Sequence, residues 1–159
     1  MQAIREFVVV AVVATAVAVF TLPSQVLGHG NEKGTATASI RGGTVAIEYG
    51  RPTLKGRDLL SQIAPGSYWR LGADIPTTLT TDVGLTLGGQ SIAPGKYTLL
   101  LKFLGDDKWS LIVANGVTPR SWEPQKLVAE AALVTAKTDA SVEALTIKLS
   151  SQENRGSLT

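Results

Sequence analysis

Arg51, Lys55, Arg57 and Arg70 place three guanidinium groups and an ammonium on one short stretch of chain. Arginine forms paired hydrogen bonds to planar or tetrahedral anions, so such a group suits a carboxylate, phosphate or sulfate. Pro52 fixes the direction in which the chain leaves Arg51. Gly56 permits a tight turn that would carry Lys55 and Arg57 back over Arg51, with Trp69-Arg70 returning beside them. The competing expectation is that Glu48, Asp58 and Asp74 neutralise these cations and that the pairs simply pin a loop.

Glu48 and Asp74 are the carboxylates inside this region. A hydrolase or isomerase built on them needs the two to face each other, with one pKa raised. Neighbouring arginines favour two ionised carboxylates instead, which argues against an acid–base pair. Ser67, Ser110 and Ser121 have no histidine to activate them within the fold, and the chain has no cysteine, so neither triad nor thiol chemistry is expected. His29 is the single histidine. As a new N-terminus it would offer an amine and an imidazole to Cu(II), but no further ligand of matching softness accompanies it. No metal and no cofactor is therefore expected. Trp69, Trp109 and Trp122, with Tyr49, Tyr68 and Tyr97, would suit a glycan-stacking face. The plainer expectation for most of them is core packing with a polar tip at the surface.

The elements that must position these residues read as strands. Thr44 to Tyr49 alternates Val45, Ile47 and Tyr49 against Thr44, Ala46 and Glu48. Thr77 to Leu87 alternates similarly, with Gly84 marking a bend. Gly88-Gly89 signals a hairpin. Pro94-Gly95 turns the chain into Tyr97, Leu99, Leu101 and Phe103, where Leu100 and Leu104 make a central strand buried on both faces. Trp109, Leu111 and Val113 return from a turn at Gly105 to Lys108, and Asn115-Gly116 closes that strand. Val117 to Gln125 is a long connection, Leu127 to Val134 a further strand, and Leu145, Ile147 and Leu149 the last clear alternation. Asp58 to Ile63 has the spacing of one short helix. Short strands with regular turn signals predict an all-β, antiparallel β-sandwich with a long loop or short helix at one end.

Met1 to Gly28 has the form of a secretory signal peptide. Arg5 supplies the positive start, Phe7 to Leu22 the apolar run, and Val26-Leu27-Gly28 a small-residue cleavage site. The run is shorter than the roughly 20 residues of a spanning helix, so the membrane is expected to hold the chain only before cleavage. The expected address is the periplasm or the extracellular space. Residues 29–38 are small and polar and read as a flexible arm, leaving 39–159 as the β-sandwich domain. The 159-residue chain carries a net charge of +2, and removing the leader takes one charge of each sign. That balance is too weak to imply nucleic acid. Gln152 to Gly156 resembles a hairpin turn, followed by the opening of another strand at Ser157-Leu158-Thr159.

Ile47-Glu48-Tyr49-Gly50-Arg51-Pro52-Thr53-Leu54-Lys55-Gly56-Arg57, Tyr68-Trp69-Arg70-Leu71-Gly72-Ala73-Asp74 and Ala93-Pro94-Gly95-Lys96-Tyr97 form three ordered motifs. They resemble the exported bacterial family known as domain of unknown function 2911, whose pattern runs Y-G-R-P-x-x-K-G-R, W-R-x-G-A-N and P-A-G-x-Y. The resemblance implies a fold and an export address but no chemistry. Asp74 stands where the family has Asn and cannot donate the hydrogen bonds that an amide would. The family pattern also continues past Thr159 with one or two apolar strands. On that comparison the chain lacks its C-terminal strand, and Leu145 to Leu149 would be an exposed apolar edge.

Three classes of function follow as expectations. The leading one is an exported, non-enzymatic binding or interaction module that takes an anionic small molecule, a glycan or a protein through Arg51, Lys55, Arg57, Trp69 and Arg70. The second is an envelope hydrolase or isomerase using Glu48 and Asp74. The third is a structural envelope protein that self-associates through an open sheet edge.

Overall fold

A computed structural model describes residues 31–58, 61–116, 119–121 and 123–159. The expected leader, His29, Leu59, Leu60 and Trp122 lie outside the described residues. The described chain is all-β with antiparallel sheets. Its strands are β1 (Glu32–Ile40), β2 (Gly43–Arg51), β3 (Tyr68–Trp69), β4 (Thr78–Thr81), β5 (Leu85–Leu87), β6 (Gln90–Ile92), β7 (Gly95–Gly105), β8 (Lys108–Ala114), β9 (Leu127–Ala132), β10 (Leu149–Gln152) and β11 (Arg155–Leu158). Among the described residues the helical elements are two single 3-10 turns, Pro119–Ser121 and Pro124–Lys126. No helix of the described residues is long and apolar enough to cross a membrane.

One sheet runs β1-β2-β4-β7-β8-β9, with β3 pairing to β7 beyond the end of β4. Two hairpins, β5–β6 and β10–β11, form separate two-stranded sheets. Period-two alternation aims Val45, Ile47, Tyr49, Leu79, Leu99, Leu111, Val113 and Ala129 at one face of the large sheet. Leu85, Leu87 and Ile92 from one hairpin, with Leu149 and Leu158 from the other, join them in a single apolar core. The core leaves a small void of about 20 Å³ lined entirely by apolar side chains of the sheet and the two hairpins. Gln90 Oε1 accepts the Glu130 amide at 2.7 Å, fastening β6 to β9. Arg41, in the β1–β2 turn, donates to Asn154 in the β10–β11 turn. On the opposite face of the sheet Leu100, Ile112 and Ala114 form a second small cluster beside Tyr68, so the middle of β7 is buried on both faces.

Several expectations change. Residues 32–38, expected in the flexible arm, form most of β1. Gly34, Ala36, Ala38 and Ile40 face inward and alternate with threonine and serine. Glycine and alanine carry too little apolar signal to mark a strand, and β1 is fixed by nine cross-strand pairs to β2. The Thr77 to Leu87 run breaks in two because Thr81 Oγ1 bonds to both the carbonyl and the amide of Val83 at the bend. Leu104 is 45% exposed rather than buried, at a register shift that ends the β7–β8 ladder. Around the expected Asp58–Ile63 helix, Ser61 and Gln62 form a turn with the Ser61 amide on Asp58 Oδ1. Leu145 and Ile147 alternate as a strand would, yet precede β10. Ile147 is buried, and Leu145 and Leu149 pack against the core, so this stretch is not an exposed apolar edge. The expected hairpin at Gln152 to Gly156 is present as the turn between β10 and β11.

Candidate functional site

The first two motifs meet at one end of the large sheet, where their glycines and aromatics build the meeting place. Ala93–Tyr97 instead turns into β7 towards the other end, Gly95 pairing with Thr81 and Thr81 with Val45. Leu71 adopts φ 53° and Asp74 φ 63°, folding residues 71–74 into a compact loop whose Leu71 carbonyl accepts the buried Thr77 hydroxyl at 2.8 Å. That loop lies directly on β2. The Ala73 amide donates to the Gly50 carbonyl, and a Cβ placed on Gly50 would stand 1.8 Å from the Ala73 oxygen. Tyr49, one residue earlier, lays its ring over Gly34 of β1, its cross-strand partner. Its hydroxyl, buried in the core, accepts the Ile147 amide at 2.9 Å.

Arg51 ends β2 half-buried. Its Nε donates to the Leu145 carbonyl at 3.2 Å, Nη1 to Glu32 at 3.1 Å and Nη2 to the Thr146 hydroxyl at 3.5 Å. The pinning partner is thus Glu32, together with a backbone carbonyl, rather than Glu48, Asp58 or Asp74. Thr53 bridges to Ala144, and the Leu54 and Lys55 amides both bond Glu143. Arg57 folds back on its own loop, giving hydrogen bonds to the Leu54 and Thr53 carbonyls. Lys55 and Arg70 are exposed, and neither side chain has an ion-pair partner among the described residues. Beneath them, the Lys55 amide bonds Glu143, Arg51 bonds Thr146 and Glu32, and Asn31, next to Glu32 in the chain, bonds Asp74.

Asp74 Oδ2 accepts both the backbone amide and the side-chain amide of Asn31, at 2.8 and 3.0 Å. Those bonds, the backbone one foremost, and the nearby Arg70 charge hold the Asp74 carboxyl below its ordinary value. A carboxylate accepts here as an asparagine oxygen would, and Asp and Asn are among the side chains that most readily tolerate positive φ. The substitution is therefore compatible with the loop. Because the folded pKa lies below the unfolded 3.8, the Asn31–Asp74 latch contributes fully above that value and is lost as pH falls through the folded one. NMR should show the Asn31 amide and the Asp74 carboxyl carbon titrating together at a midpoint below 3.8. In Asp74→Asn the Asn31 titration should vanish.

Glu48 sits exposed in the middle of β2, between Thr35 and Thr78, and has no hydrogen-bond or ion-pair partner among the described residues. Asp74 is held ionised, which is opposite to the tuning of a general acid. Trp69 is half-buried against the main core, while Tyr68 on the other face lies 5.7 Å from the Lys102 ammonium. Tyr97 closes its own turn through its hydroxyl on the Ala93 carbonyl at 2.8 Å. Asn31, Glu32 and Glu143 belong to this site although nothing local marks them. Glu32 reaches Arg51 only through the β1–β2 register, and Glu143 reaches Lys55 through the Thr53–Ala144 bridge.

A family model described as protein of unknown function (DUF2911) matches residues 31–159. The chain belongs to that family. No curated protein and no solved structure matches it. In this DUF2911 protein the matched region begins at Asn31, so β1 and the Asn31 latch fall within the family's own domain. The geometry above gives the DUF2911 motif glycine at 50 and the aromatic at 49 an architectural role, and leaves Lys55 and Arg70 as its cations open to solvent.

Proposed function

We propose that this DUF2911 protein is an exported, non-enzymatic β-sandwich module that binds an anionic small molecule or an acidic glycan at the loop end of its large sheet. Export rests on the leader at residues 1–28, and the sandwich reading on the two hairpins packed over one sheet face. One observation carries the ligand class: the carboxylates of this end are already engaged and two of its cations are not. Glu32 pairs with Arg51, Asp74 accepts Asn31, and Glu143 accepts the Lys55 amide. Lys55 and Arg70 are exposed, the first on a loop held by Arg57 and Glu143, the second beside the 71–74 loop that the Ala73–Gly50 and Thr77–Leu71 bonds hold. Exposed cations that form no ion pair among the described residues favour an incoming carboxylate, phosphate or sulfate.

Titration with phosphate, sulfate and glucuronate, followed by thermal unfolding and amide NMR, tests this. Lys55→Ala and Arg70→Ala should each weaken anion binding about two- to fivefold, the range of exposed charge pairs. Both variants should melt within a degree or two of the parent, because neither side chain supports the fold. If no anion stabilises the protein, or if stabilisation persists in the double variant, the site is not here.

A further inference from the structure

A second cleft, of about 360 Å³, opens beside the β7–β8 turn and is lined by Asp58, Ser61, Ile63, Phe103, Asp107 and Trp109. Phe103 and Trp109 are a cross-strand pair with ring centroids 4.6 Å apart and planes tilted by 38°. Both rings are half-buried, so each keeps area at the cleft wall. Asp107 turns the chain at φ 57°, is exposed, and has no hydrogen-bond or ion-pair partner among the described residues. Asp58 adds a second carboxyl, with Oδ1 accepting the Ser61 amide. None of the lining residues is basic, and strand alternation sends Lys108 to the side away from Trp109.

Aromatic faces carry negative quadrupole potential, and two carboxylates add formal charge to the same concavity. The volume lies within the range of small-ligand sites, about 300–1,000 Å³. We propose that this cleft binds an organic cation, an alkylammonium group with apolar substituents, through Trp109 and Phe103 as the apolar wall and Asp107 as the counter-charge. Its lining residues are distinct from Lys55 and Arg70. The same headgroup chemistry occurs in a free quaternary amine and on a phosphatidylcholine surface, which the test separates.

Choline chloride titrated into the full chain should move the Trp109 indole N–H resonance and its fluorescence saturably. Asp107→Asn, which keeps a residue suited to positive φ, should weaken that response about two- to fivefold, as should raised salt. Co-sedimentation with phosphatidylcholine vesicles that free choline reverses would support the same site and assign it to a lipid headgroup. Choline binding without co-sedimentation would support it as a site for the free amine. Absence of any saturable change, an equal response to glucose, or a response indifferent to Asp107→Asn would overturn the proposal.

Discussion

Gly50→Ala is expected to cost about 3 kcal/mol of stability, enough to lower the melting temperature by about 10 °C. The new methyl group would have to occupy a point 1.8 Å from the Ala73 carbonyl oxygen, and that oxygen belongs to backbone rather than to a side chain that can swing away. The 71–74 loop would have to lift off β2, breaking the Ala73–Gly50 hydrogen bond and loosening the buried Thr77 hydroxyl from Leu71. Gly56→Ala, in the same motif, provides the contrast. Gly56 has φ 71° but nothing within 4 Å of its Cβ direction, so only the left-handed backbone cost of about 1 kcal/mol applies. Urea unfolding of the two variants separates close approach from conformational freedom. Equal losses at both positions would mean that the loop does not press on β2 in solution.

Tyr49→Phe should lose about 1–3 kcal/mol, because it leaves the Ile147 amide without an acceptor in the core while keeping the ring in place over Gly34. The effect is directional. Hydrogen exchange at Ile147 and at its neighbours bonded to residues 52–54 should accelerate well beyond exchange at Leu99 or Ile112, in the middle of the sheet. A uniform rise across the chain, with no preference for residues 143–147, would mean that the hydroxyl does not tether this segment. Together the two variants assign the Tyr-Gly of the motif to architecture, and leave Lys55 and Arg70 as the positions to probe for binding.

The parts of the fold legible in the sequence are those whose signal is local. Leu99, Leu100 and Leu101 mark a central strand wherever it lies, and Gly88-Gly89 forms its hairpin from two residues alone. The parts missed depend on partners distant along the chain. Gly34 and Ala36 look like a solvated arm until Tyr49 is known to cover one and β2 to pair with both. Leu145 and Ile147 have a strand's alternation, but their hydrogen bonds go to Pro52 and to the Tyr49 hydroxyl, so no ladder forms there. The cation motif was visible as a cluster of types, whereas its charge balance was not. Glu32 and Glu143 enter through register and a single β-bridge, and these decide that Arg51 is a clamp while Lys55 and Arg70 face solvent. The Phe103–Trp109 cleft is illegible in the sequence for a related reason, since Asp58 and Asp107 come together only around the end of β7.

The bond from Ile147 to Tyr49 joins residues 98 positions apart, and the Arg51–Leu145 contact is nearly as long in sequence. Closing so large a loop carries an entropic cost that no local contact offsets in advance, so this bond is expected to form late in folding. The opening hairpin can form as soon as Arg51 has been made, but its buried tyrosine hydroxyl waits for almost the whole remainder of the chain. A chain made N-terminus first therefore exposes the Tyr49 hydroxyl and the inner face around it until residues 145–158 are present. The order of synthesis, and not only the final contacts, sets how long that face must stay protected.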